Sequence, residues 1–65
     1  MNDAEIVAQV ITKLAEKYPT VPASNLERIV RDEFRALAQG SVRDYLGVLT
    51  ERAVKERLKQ VLVAA

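Results

Sequence analysis

Sixty-five residues, 49% of them apolar and 29% charged, make one small domain spanning 1–65 and leave no room for a second. With neither Cys nor His, disulfides, the usual structural zinc sets, cysteine nucleophiles and histidine bases are excluded. Oligomerisation is then the remaining aid to so small a core, and a net charge of +1 is too balanced for a dedicated binder of nucleic acid or acidic membranes.

The segment Met1-Asn2-Asp3-Ala4-Glu5 is acidic where a secretory signal is basic, and no apolar run approaches the roughly 18 residues of a membrane span. A cytoplasmic protein with no membrane partner is expected. In the first periodic segment Ile6, Val7, Val10, Ile11, Leu14 and Tyr18 recur at three- and four-residue steps, the pattern of an amphipathic helix. Asn2 or Asp3 can cap its start, Asn2 with Glu5 resembling a capping box, and Pro19 ends the helix near Tyr18, which predicts a helix over about 3–18.

Pro19-Thr20-Val21-Pro22-Ala23 breaks the periodicity, and Ser24-Asn25-Leu26-Glu27 offers a second capping box. It predicts a helix over about 24–39 with Leu26, Ile29, Val30, Phe34 and Leu37 inward. Glu33 interrupts this stripe. Its stem is expected to pack while its carboxylate reaches water or a nearby Arg, or forms an ion pair that sets register. Gly40 suits the left-handed position that ends a helix, and Ser41-Val42-Arg43-Asp44 offers a cap for a third helix over about 42–62 after a short link.

At 100° per residue Val42, Tyr45, Leu46, Leu49 and Ala53 share one face of that helix, while Val54, Leu58, Val61 and Leu62 lie on another. The expected fold is an all-α three-helix bundle whose long third helix can kink at Gly47. Its core would hold Ile6, Val10, Ile11, Leu14, Leu26, Ile29, Val30, Phe34, Leu37, Val42, Leu46, Leu49 and Ala53. The second stripe of helix three would then lie outside that core and pack on a partner, together with Val7, Ile11 and Tyr18, which widen the stripe of helix one. Arg52, Lys55 and Arg57 would rim the contact opposite acids such as Glu51, Glu56 or Glu16. The alternative is that the second stripe folds back onto the protomer's own first helix.

No catalytic constellation is legible. Asp32 and Glu33 are neighbours on a helix and diverge by about 100°, and the isolated Gly40 and Gly47 make no phosphate loop. No cofactor or metal is expected. The segment 14–30, then Val42-Arg43-Asp44-Tyr45-Leu46-Gly47-Val48-Leu49 and Glu51–Leu58, resembles a small actinobacterial three-helix bundle dimerisation domain. That domain occurs alone or at the N-terminus of low-molecular-weight-phosphatase-like arsenate reductases. Its pattern at 45–49 is an aromatic, Leu, usually Pro and an aliphatic pair, so Gly47 departs from it. The resemblance implies a homodimer, and no catalysis, because the phosphatase-like domain with its cysteine is missing from these residues. Non-enzymatic self-association is therefore the expected function, with a different helical protein as a second class of partner. The competing function is nucleic-acid binding through Arg52, Lys55, Arg57 and Lys59 of the basic third helix, against which stand the interleaved Glu51 and Glu56.

Overall fold

A computed structural model describes residues 2–40 and 44–64, with side-chain surroundings through residue 60. Three helices, α1 (Asp3–Lys17), α2 (Ala23–Ala38) and α3 (Leu46–Ala64), pack with every pair in contact, and there is no strand among the described residues. The chain is an all-α three-helix bundle.

Each helix end has a local cause. Asn2 has extended backbone angles, and its side-chain oxygen accepts the Glu5 amide at 2.9 Å, so the first cap forms as its sequence predicts. At the other end the Tyr18 amide donates to the Leu14 carbonyl, and Val21 then donates to the Tyr18 carbonyl at 3.1 Å, closing a turn with Pro19 inside it. The helix α2 begins earlier than its Ser24 box predicts. Pro22 stands at the cap with φ −57° and ψ 139°, and its carbonyl accepts the Leu26 amide at 3.0 Å. No side chain caps this end; proline's preset φ is suited to the helix entrance and leaves Ser24 two residues too far in.

The α2–α3 connection differs most from its sequence reading. Gly40 does not take the left-handed conformation; its amide closes back on the Leu37 carbonyl at 3.1 Å. The link runs from Gln39 to Tyr45, so α3 starts at Leu46 rather than near Val42, which lies outside the described residues. Gly47 consequently falls in the first turn of α3, where it cannot kink the helix interior.

Starting α3 at Leu46 also sets which face is inside. Leu46, Thr50, Val54 and Leu58, spaced four apart, are all buried, and Val54 and Leu58 join Val10, Leu14, Leu26 and Val30 in one core cluster. This corrects the expected second stripe: Val54 and Leu58, at 0% and 2% exposure, pack on their own protomer and are not free to form an interface. Leu49, expected in the core, is 36% exposed. The residue that misleads the pattern is Thr50. Its side chain is fully buried, and its hydroxyl donates to the Leu46 carbonyl at 2.8 Å, so a polar residue sits inside without an unmet hydrogen bond. Phe34 is buried as expected, while Ile6, Ile11, Ile29, Leu37 and Ala53 are half-buried.

Replacing Leu58 by Ala should destabilise the fold by about 2–5 kcal/mol, a large share of what so small a domain possesses. Thr50→Val should change stability by no more than about 1 kcal/mol, because the lost hydroxyl only doubled up on a carbonyl already used by the helix. Equilibrium denaturation of the two variants checks both values.

Candidate interaction surface

The large apolar side chains left outside the core gather at the start of α3. Tyr45 is 78% exposed, Val48 56% and Leu49 36%, and the three- and four-residue spacing puts them side by side. Tyr45 also has φ 62°, a left-handed conformation that costs a bulky residue about 1 kcal/mol or more. Its carbonyl accepts the Leu49 amide at 2.9 Å, so this strained residue begins the helix.

Beside it runs an open groove of about 290 Å³ between α1 and α3, lined by Ile6, Gln9, Val10 and Lys13 on one side and Tyr45 to Val48 and Glu51 on the other. Gly47 allows the close approach here: a Cβ at this position would stand 3.3 Å from Ile6 Cγ2. The groove is open and mostly apolar, which suits a side chain or helix face more than an enclosed small ligand.

Charges edge the groove. Lys55 Nζ lies 3.0 Å from Glu51 Oε2, one turn away on α3. The Lys55 hydrogen bond is the main reason the Glu51 carboxyl is held below its ordinary pKa, against the opposing effect of its partial desolvation. The Lys17 amine of α1 comes up against that of Lys55; this contact lowers the pKa of Lys17 and, with the contribution of Glu51, raises that of Lys55. On the other side of α3, Arg57 Nη1 meets Glu33 Oε1 at 3.5 Å, the α2–α3 ion pair that the interruption at Glu33 anticipates.

The residues expected at an interface are not gathered on one surface. Val54 and Leu58 are core; Val7, Ile11 and Tyr18 are half-buried and pack against that core. Of these, Val7 and Ile11 line a separate groove between α1 and α2, with Glu27 and Arg31 on its far side. The side chains of Val61 and Leu62 lie outside the described residues. Among the expected rim cations Arg52 is exposed, whereas Lys55 and Arg57 are held by Glu51 and Glu33 of the same chain. Sequence reasoning missed Val48, assigned Leu49 to the core and placed Tyr45 on the same inward face. The signal that could have found them is the four-residue series Leu46, Thr50, Val54, Leu58, which leaves 45, 48 and 49 outside once Thr is allowed inside.

Fold and surface together define a small all-α domain with an exposed apolar face at the start of α3. Among the described residues no group of His, Cys, Asp and Glu could hold a metal ion, and no helix is long and apolar enough to cross a membrane. The chain belongs to the family described as protein of unknown function (DUF3562), whose model matches residues 4–61. No curated protein and no solved structure matches it. Nothing in the family match refers to actinobacteria or arsenate reductases.

At dilutions where the chain is monomeric, Tyr45→Gly should raise stability by roughly 1 kcal/mol, since glycine accepts φ 62° freely while the lost side chain is mostly in water in the single protomer. Acid should act through Glu51. A folded-state pKa below the unfolded one contributes stability above the ordinary carboxylate range of about 4.3, and that contribution is lost as pH falls through the lowered value. Melting temperatures between about pH 5 and pH 2 should therefore fall less steeply for Glu51→Gln than for the parent.

Proposed function

We propose that the chain is a non-enzymatic self-association module, a homodimer joined through the face at the start of α3. The observation that carries this reading is the exposure of Tyr45, Val48 and Leu49 together, beside an apolar groove, on a chain with few residues to spare for its core. The backbone strain at Tyr45 supports it, because a bulky side chain kept in the left-handed region is what a binding role accounts for and folding alone does not. The resemblance to a dimerisation domain points the same way, and so does a composition without disulfide or zinc. Relative to the sequence reading, the contact moves from the second half of α3 to its first turns. A cytoplasmic setting belongs to the same proposal. Nucleic-acid binding is weakened by the two basic residues of α3 already engaged by Glu51 and Glu33.

Light scattering on the purified chain tests the proposal. The expected mass is twice the 7.3 kDa of one chain, and Val48→Glu should give a monomer with unchanged helical circular dichroism. A parent that scatters as a monomer at every concentration overturns the reading.

A further inference from the structure

The seam between α1 and α3 carries its charges in an order. Gly47 lies against Ile6 at one end and Lys55 beside Lys17 at the other, so the two helices run in the same sense. Glu5, in the first turn of α1, therefore lies toward the Tyr45 end, while Lys13, Lys17 and Lys55 lie progressively toward the opposite end, three cations around the single carboxylate of Glu51, which leaves that end net basic. Gln9 and the apolar groove stand between. At about 1.5 Å per residue Glu5 and Lys13 are roughly 6 Å to either side of Gln9, and at 100° per residue each points within about 40° of it. Opposite charges at equal distances from an apolar centre make a face complementary to its own copy turned through a two-fold axis. Gln9 fits the axis itself, since its amide both donates and accepts and can bond its own copy.

We propose that the occupant of this seam is a second copy of the chain, packed with α1 antiparallel to α1 about an axis at Gln9, so that Glu5 of each protomer meets the partner's Lys13 while Tyr45 and Val48 close over the groove. The inference rests on the self-association reading and adds the partner's orientation and its charge pairing.

A charge exchange tests it, read as the dimer dissociation constant by sedimentation or light scattering at low salt. Lys13→Glu and Glu5→Lys should each weaken the dimer by about tenfold, two like-charge contacts replacing two attractive ones, and the double exchange should return it to near the parent value. Since Glu5 also takes part in the Asn2 cap, a loss of helix in Glu5→Lys leaves the decision to Lys13. The expected order of dimer strength is then parent, Lys13→Gln, Lys13→Glu. A dimer whose strength is unchanged in the Lys13 variants, or a folded double exchange no stronger than the single ones, overturns this packing and leaves self-association standing. A monomeric parent overturns both.

Discussion

The rest of the molecule depends on the burial of one four-residue series on α3. Leu46, Thr50, Val54 and Leu58 all face inward, and with a helix repeat of 3.6 residues such a series turns slowly around the axis and needs neighbours on both flanks. The helices α1 and α2 supply them, Val10 and Leu14 on one side and Leu26 and Val30 on the other. Once that face is inside, the opposite face is determined. Val48 and Leu49 must be outside, whatever their hydrophobicity, and Val54 and Leu58, which the sequence pattern puts on a separate stripe, are drawn into the core.

Thr50 is what makes this arrangement hard to read. A hydroxyl in an apolar series argues for the surface, yet a threonine on a helix can satisfy itself from the carbonyl four residues back, as it does here at 2.8 Å. What remains to be buried is a methyl group and a short stem, close to valine in shape. A periodicity count that treats threonine as polar splits the stripe at its middle and shifts the inferred face to Tyr45, Leu46, Leu49 and Ala53.

The same contrast separates the legible parts of the sequence from the rest. The Asn2 cap, the end of α1 before Pro19, and the inward Leu26, Val30 and Phe34 are all local or single-helix matters, and each is present; the break that Glu33 makes in its stripe is legible on one helix too, although its partner Arg57 comes from α3. The rotation of α3, and with it the location of the exposed face, is decided between helices. The conformation of Tyr45 is equally illegible in the sequence, because nothing in its own chemistry favours a positive φ.

The order of charge along the α1–α3 seam has a cause that precedes any partner. Helices that run in the same sense place their positive N-terminal ends together and their negative C-terminal ends together, an arrangement that neighbouring dipoles disfavour. In α1 acidic side chains occupy the first turn, Asp3 and Glu5, and Lys17 the last, with Lys13 one turn before it. Each offsets the partial charge of the end where it sits. That placement leaves the α1 side of the seam acidic at one end and basic at the other, and a second copy of α1 laid antiparallel reverses the order along it. Complementarity to its own copy thus follows from the charges that make two same-sense helices tolerable within one protomer. The apolar face at Tyr45 and Val48 lies beside the part of the seam where the two signs change over.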